Sequence, residues 1–520
     1  MPSRSSVPST DVADSWKEIA AYLKRDVRTV MRWEHTCGLP VHRLPGGPKS
    51  AVYAMKSELE LWRRSREIHE EEKRSQPAVQ FSSSAAAGAS IAVLPFVNLS
   101  AEKENEYFSD GLADEIITAL AHVEGLRVTA RTSSFAFRGE ERDVREIGAK
   151  LGVATLLEGS VQREGGRVRV SAQLVSSSEG HHIWADHYDR ELTDLFAVQD
   201  EIAACIAAAL ELKVKPQAPR GKRPNAEAYQ SWLRGRYYQF NRRTLQDVTT
   251  AGECFSRAIA LDPDFGAAHL AIGQHLLDMA VLGLVPPQQV AAEVRLEVEK
   301  ALQWDDGLGE AHAALGIHRA LFDFDWPGAE SAFRRALACD PGSPAILRAH
   351  VASVLAPTMR LEEAEKEVLF ALELDPLSPD AHFLRALMLF FRRQYDQAEA
   401  SIRTTLELGS TNPFAQWVGG IIAALQGRFE AAITQCEGAV RLFGRIPMLS
   451  AGLGMVYGWA GRTAEARRML ELIEEAGAAT YVSPIYRAWV YMGLGEVDNA
   501  FQWMDRAIQV RDPHILHLPV

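Results

Sequence analysis

Residues 427–461, GRFEAAITQCEGAVRLFGRIPMLSAGLGMVYGWAG, begin and end on glycine and carry an alanine, Ala432, with counterparts 34 residues away in both directions. Ala364, Ala398, Ala432, Ala466 and Ala500 keep that interval without a slip, and Gly427, Gly461 and Gly495 keep it beside them. A glycine at such a place ends one helix and permits the reversal into the next. Small residues such as Gly420, Ala432 and Ala439 let two antiparallel helices cross closely, because a larger side chain would push the axes apart. The stretch therefore predicts helical hairpins stacked at a fixed period.

A small residue at repeat position 8, alanine at 20, an apolar residue at 24, a small one at 27 and proline at 32 resemble the tetratricopeptide pattern. Ala329, Phe333, Ala336 and Pro341 fill positions 20 to 32 in one earlier copy, and Ala251, Phe255, Ala258 and Pro263 in another. About eight repeats are expected over residues 226–513, near 229–263, 266–306, 309–341, 344–376, 379–410, 413–444, 447–478 and 481–513, with a tail at 514–520. The first is irregular around Tyr237 to Arg243, and the second holds extra residues near Val281 to Gln288. The resemblance implies a curved array lined on its inner face by helix A positions 5, 9, 12 and 13. In the later repeats these hold Phe383, Leu387 and Phe390, then Trp417 and Ile421, then Met455 and Trp459, then Ile485 and Trp489. They describe an apolar, aromatic groove for a protein or peptide ligand. The family's carboxylate clamp of Lys and Asn is missing, so capture of chaperone tails is not expected. Tight curvature would bury the same side chains, and both readings stand at this point.

A chain of 520 residues is too long for one core, and 47% hydrophobic with 24% charged residues is the composition of soluble multidomain protein. The five cysteines, Cys37, Cys205, Cys254, Cys339 and Cys436, never form CxxC, which argues against a disulfide framework or zinc site and for a reducing, cytoplasmic setting. No apolar run approaches a membrane span, and the polar start lacks the apolar core of a signal peptide. The net charge of -12 conceals an asymmetry: Ser15 to Arg66 hold eleven Lys and Arg against five Asp and Glu. Only that segment is built to approach a polyanion.

Residues 1–14 read as disordered. Ser15 with Glu18 forms a capping box for a helix from Trp16 to Leu23, a short break follows, and Val27, Val30, Met31 and Trp33 mark a second, basic helix. Gly38 to Leu44 and Val52 to Ala54 read as two strands around Pro45-Gly46-Gly47-Pro48, and Lys56 to Arg66 as a closing helix. Ser15-Trp16-Lys17-Glu18-Ile19-Ala20, Arg28-Thr29-Val30, Arg32-Trp33-Glu34 and Gly38-Leu39-Pro40-Val41-His42 resemble the winged helix-turn-helix of MerR and excisionase-type domains, here residues 15–68. The resemblance implies duplex DNA as partner. Arg28, Thr29 and Arg32 would face base edges or nearby phosphates, and Lys24, Arg25, Arg43 and Lys49 would hold phosphates. Trp16, Trp33 and Trp62 are assigned to core packing.

A flexible linker is expected at 69–89. Over 90–214 short strands alternate with helices: Ile91 to Phe96, a helix from Tyr107 to His122, Leu126 to Thr129, a helix over Val144 to Leu151, a hairpin around Glu164-Gly165-Gly166, a strand over His182 to Tyr188 and a helix over Leu192 to Leu212. This is an α/β (α+β) domain, joined by a linker at 215–225 to the repeats. Ile91 to Phe96, Tyr107-Phe108-Ser109-Asp110-Gly111, Ala130 to Phe135, Leu157 to Val161 and Trp184-Ala185-Asp186 resemble the TolB-type amino-terminal domain. In that family the module often sits between a DNA-binding or cyclase domain and tetratricopeptide repeats. His181, His182 and His187 invite a metal, but neighbours on a strand point to opposite faces and do not converge. No GxxxxGK[ST], GxGxxG or nucleophile elbow occurs. The expectation is a multidomain protein with a small winged helix-turn-helix, a middle α/β domain and a C-terminal all-α tetratricopeptide solenoid. It would act as a cytoplasmic DNA-binding regulator without enzymatic activity, cofactor or membrane contact, and as a homodimer on paired half-sites. The alternative is a scaffold for protein interactions without sequence-specific DNA binding.

Overall fold

A computed structural model describes residues 12–31, 39–43, 52–60, 89–100, 105–139, 143–191, 195–212, 224–241, 244–409, 413–444, 446–477 and 481–514. Two units divide the chain, Met1–Ser82 and Ser83–Val520. The expected linkers and the tail fall largely outside the described residues.

In the N-terminal unit, β1 (Val12–Ala13), β2 (His42–Arg43) and β3 (Val52–Met55) form an antiparallel sheet of order β1-β3-β2, with Val12 opposite Met55 and Arg43 opposite Val52. For residues 12–14 the expectation of disorder is thereby corrected, and residues 1–11 lie outside the described residues. Ala13 is small enough to be buried as a strand residue beside α1 (Trp16–Tyr22). Helical backbone follows over residues 27–31 (α2) and 56–60 (α3). Ile19, Ala20, Leu23, Val30, Leu39, Ala54 and Leu59 close the core, with Trp16 packed on its rim. Trp33 and Trp62 lie outside the described residues.

The second unit begins with a mixed sheet. Strands β4 (Ser90–Val93), β5 (Val97–Asn98) and β6 (Arg127–Val128), and the long β7 (Thr155–Glu164), β8 (Arg167–Ser176) and β9 (His182–Glu191), stand in the order β6-β4-β7-β8-β9, with β5 also on β7. β4 runs parallel to β6 and β7, while β7, β8 and β9 are antiparallel. The helices are α4 (Glu106–Leu120), α5 (Arg131–Phe135), α6 (Val144–Leu151) and α7 (Leu195–Ala209). Ile91 and Val93 face the core shared with α4 and α7, and Ala92 and Leu94 face Ile147 and Leu151 of α6. Burial on both faces explains why this strand is an unbroken apolar run.

Next come antiparallel helix pairs: α8 (Ala226–Phe240) with α9 (Leu245–Leu261), α10 (Gly266–Val281) with α11 (Pro287–Trp304), α12 (Gly309–His318) with α13 (Trp326–Cys339), and α14 (Pro344–His350) with α15 (Leu361–Leu374). They continue as α16 (Pro379–Phe391) with α17 (Tyr395–Glu407), α18 (Pro413–Leu425) with α19 (Phe429–Phe443), α20 (Pro447–Trp459) with α21 (Thr463–Gly477), and α22 (Pro484–Leu494) with α23 (Val497–Gln509). This is an all-helical, tetratricopeptide-like solenoid. The five register alanines are all buried, and Gly427, Gly461 and Gly495 take φ of +77°, +77° and +73°, the left-handed turn that glycine admits without strain. α12 and α14 each run on into a five-residue π-helical segment, Arg319–Asp323 and Val351–Leu355, which lengthens the first helix of those two repeats. Among the described residues no helix is long and apolar enough to cross a membrane.

Within this unit the solenoid curls far enough for its last repeat to meet its second and third. The Arg511 guanidinium donates to the Phe322 carbonyl at 2.6 Å, Gln288 donates to the Val510 carbonyl, and the Tyr486 hydroxyl lies beside Gly283.

Candidate nucleic-acid interface

The N-terminal joint between α1 and α2 is built by capping. Ser15 Oγ accepts the Glu18 N–H at 3.3 Å, and Glu18 Oε2 accepts the Asp14 N–H at 2.9 Å. At the other end the Lys24 N–H donates to the Ala21 carbonyl and the Arg25 N–H to the Ala20 carbonyl, a Schellman arrangement that puts Lys24 at φ +52°. Asp26 then opens α2: its carboxylate accepts the Thr29 N–H at 2.9 Å and the Thr29 hydroxyl at 2.6 Å. Those two bonds hold the Asp26 carboxyl below the usual range. Lys24 and Arg25 at this joint and Arg28 in the first turn of α2 are all exposed.

Thr29 is half-buried with its hydroxyl committed to Asp26, so its first task is to start the helix. Arg43 stands in β2, opposite Val52, and Arg32 and Lys49 lie outside the described residues. His42, one residue before Arg43, stacks on Tyr53 at 5.2 Å and pairs with Glu58 at 2.7 Å, which ties the second strand to α3.

The nine side chains assigned to the solenoid groove belong to its packing. Phe383, Phe390, Ile421, Met455, Ile485 and Trp489 are buried in a single cluster, and Leu387, Trp417 and Trp459 are half-buried against it. Trp417 of α18 stacks on Trp489 of α22 at 4.6 Å, reaching past the intervening α20. Gly452 makes that possible, since a Cβ there would lie 2.0 Å from the Trp417 indole nitrogen. Of the two readings left open by the sequence, curvature that buries these side chains describes what they do here.

The phrase Ala130 to Phe135 has a structural role that motif reading missed. It forms α5, which joins the sheet domain to two distant parts of the solenoid. Arg131 lies 3.6 Å from Asp110 and 4.0 Å from Asp114 of α4, Arg138 also pairs with Asp110, and Arg236 of α8 reaches Asp114 at 2.6 Å. Burial pushes the Asp110 carboxyl up against the pull of Arg138 and Arg131, and lowers the Arg131 guanidinium. Two residues on, Ser133 donates its hydroxyl to Asp375 Oδ1 at 2.5 Å and its N–H to the same oxygen at 3.0 Å. Its Oγ accepts the Leu377 N–H at 2.8 Å, and Arg348 holds the other Asp375 oxygen at 3.2 Å. Ser133 and Asp375 are fully buried.

The comparisons with known proteins bear on this sheet domain first. Residues 87–205 match the HilA/YgeH-like transcriptional regulator, second domain. Residues 360–413 and 389–445 match the tetratricopeptide repeat. Among curated proteins, "Putative adenylate cyclase 3" of Rhizobium meliloti (strain 1021) is 43% identical over 190 residues, which are 35% of this chain and 32% of that protein. The chain thus spans about a third of that relative's length. Solved structures similar to the chain include the human IFIT1 dimer with PPP-AAAA (12% identity, 61% of this chain and 84% of that one, TM-score 0.42). YrrB, a TPR protein with an unusual peptide-binding site, is another (18% identity, 37% and 93%, TM-score 0.25).

The Rhizobium relative overturns one expectation. Absence of catalytic motifs led to the reading of a chain that is not an enzyme, yet a 43% identical relative carries the name of an adenylate cyclase. Motif scanning finds only reactions whose signatures are short and local, and the lack of such signatures does not exclude catalysis. His181 pairs with Glu179 at 2.9 Å, and among the described residues no group of three or more His, Cys, Asp or Glu is arranged to hold a metal ion.

Proposed function

We propose that the chain is a cytoplasmic DNA-binding transcriptional regulator whose N-terminal unit is a winged helix-turn-helix of the MerR or excisionase kind. The reading rests on one combination: a sheet domain matching that of HilA/YgeH-like regulators is preceded in the same chain by the exposed Lys24, Arg25 and Arg28 at a capped two-helix joint. On this reading α2 enters the major groove, with Arg28 and Arg32 toward base edges. Lys24, Arg25, Arg43 and Lys49 neutralise phosphates. The TolB-type reading of residues 90–214 makes the sheet domain the link between the DNA-binding unit and the solenoid, which receives a protein or peptide signal. One such unit covers few base pairs, so a homodimer on half-sites about one helical turn apart is proposed.

Fluorescence anisotropy of the full chain on a random duplex pool, repeated across salt concentrations and with residues 1–75 deleted, tests the proposal. Binding that weakens with salt and vanishes on deletion supports it. Equal weak binding with and without the segment would make the chain an interaction scaffold. A second reading comes from the Rhizobium relative, an adenylate cyclase activity, and a cyclase assay of the full chain decides it.

A further inference from the structure

From the third repeat to the eighth, successive hairpins are joined by ion pairs across the stack. Glu330 takes Arg360, Glu399 takes Arg428 and Glu430 takes Arg462, each at 2.7 Å, Glu365 takes Arg392, and Arg467 with Glu496 at 2.5 Å reverses the sense. In α19 the acid stands beside apolar neighbours: Phe429, Ile433 and Val440 pack in the cluster shared with the next repeat, and Ile433 is only 4% exposed. Two periods later α23 carries the same arrangement, with Val497 for Phe429, Asp498 for Glu430, Phe501 for Ile433 and Ile508 for Val440. Here nothing described covers it. Val497, Phe501 and Ile508 are 57%, 61% and 52% exposed, and Asp498 and Asp505 have no ion pair among the described residues. The outer face of α23 thus carries an exposed seam of Val497, Phe501 and Ile508, spaced by four and seven as in a coiled coil, with Met504 between them half-buried against the cluster beneath.

Two self-made covers are disfavoured. A second copy stacked head to tail would have to bring its first repeat, but α8 already packs on α4 and Arg236 is held by Asp114. Two α23 helices paired antiparallel would set Asp498 and Asp505, which share one flank of the seam, against the same acids of the partner helix. We infer that α23 is a docking face for an amphipathic helix of another protein, with apolar residues at three- and four-residue spacing and an arginine or lysine placed to meet Asp498, as Arg462 meets Glu430. The inference rests on the solenoid being the partner-binding part of the proposed regulator, and its test reads peptide binding alone, so it stands or falls separately from DNA binding.

The probe is a labelled synthetic helical peptide with leucines along one seam and arginines on one flank, titrated with the full chain by anisotropy. A twin peptide with glutamates for arginines is the control. The expected result is saturable binding of the arginine peptide, with the twin about tenfold weaker. Phe501→Glu should remove binding, and Asp498→Arg with Asp505→Arg should reverse the preference toward the glutamate twin. All three positions are exposed, and an unchanged thermal melt verifies the folded state of each variant. No binding, equal binding of both peptides, or binding that survives Phe501→Glu overturns the inference. So does a sedimenting dimer that Phe501→Glu converts to monomer, which would make a second copy the occupant.

Discussion

Lys24 is held at φ +52° by the helix end behind it, where a lysine pays for a conformation that glycine takes freely. Lys24→Gly should stabilise the N-terminal unit by roughly 0.5–1 kcal/mol in thermal melts, and on the proposed regulator reading it should lower DNA affinity by removing a positive charge that would face phosphate. Arg28→Ala should leave the melt within about 0.5 kcal/mol and weaken binding by roughly 1–3 kcal/mol on the preferred duplex, read from paired titrations. In the solenoid, His350 lies between two carboxylates, with Nδ1 3.0 Å from Glu367 and Nε2 3.5 Å from Glu330. Burial alone would lower the imidazole, but those bonds outweigh it and raise the histidine to about 9 from an ordinary 6.5. Burial likewise opposes the Glu330 charge, and His350 and Arg360 overcome it and bring Glu330 to about 2. A raised histidine contributes stability that is complete below about 6.5 and lost as pH rises through about 9. A lowered glutamate contributes stability that is complete above about 4.5 and lost as pH falls through about 2. Melting of the full chain should therefore decline from near-neutral toward pH 9, and His350→Gln should flatten that decline. The basic excess around Arg28 could be read from composition, whereas the positive φ of Lys24 and the pairing of His350 could not. Both depend on where neighbouring carbonyls and carboxylates arrive in space.

The helices of the solenoid are legible because their signal is periodic and local, and the same holds for β7 and β8 around Gly165-Gly166. α5 was missed because five residues are too few to show a helical period. The two π-helical segments were missed because their sequences, Arg319–Asp323 and Val351–Leu355, carry no marker of the altered pitch. The glycines divide by element. Gly461 is required by its dihedral angle, with open space where a Cβ would go, so Gly461→Ala should cost about 1 kcal/mol. Gly458 is required by its neighbour: a Cβ would lie 2.3 Å from the Gly493 carbonyl carbon, where backbone of α22 crosses α20 and cannot yield as a side chain would. Gly458→Ala should cost about 1–3 kcal/mol and lower the melting temperature further than Gly461→Ala, a ranking that one set of thermal melts resolves.

At the scale of the whole second unit, the sheet domain is tied to the first repeat by Arg236 and Asp114 and to the fourth by Ser133 and Asp375. Asp375→Ala would strand the Ser133 hydroxyl and N–H and the Arg348 guanidinium in a buried place, at a cost of about 1–3 kcal/mol. Hydrogen exchange should quicken at residues 130–136 and 373–378 together, while the repeats beyond 413 keep their protection. The sequence by itself determined the repeat period, the hairpin boundaries to within about a turn, the order of the longer strands and helices of the middle domain but not the short β5 and α5, and the concentration of positive charge before residue 67. Each of these is a property of residues near one another in the chain. Only the tertiary structure decided what the aromatic helix faces do. Trp417 meets Trp489 across an intervening repeat, and Ser133 meets Asp375 across 242 residues. Such contacts are set by the rotation that accumulates from one hairpin to the next, a quantity that no single repeat encodes. The groove read from helix positions was therefore filled by its own side chains, while among the described residues α23 leaves Val497, Phe501 and Ile508 exposed.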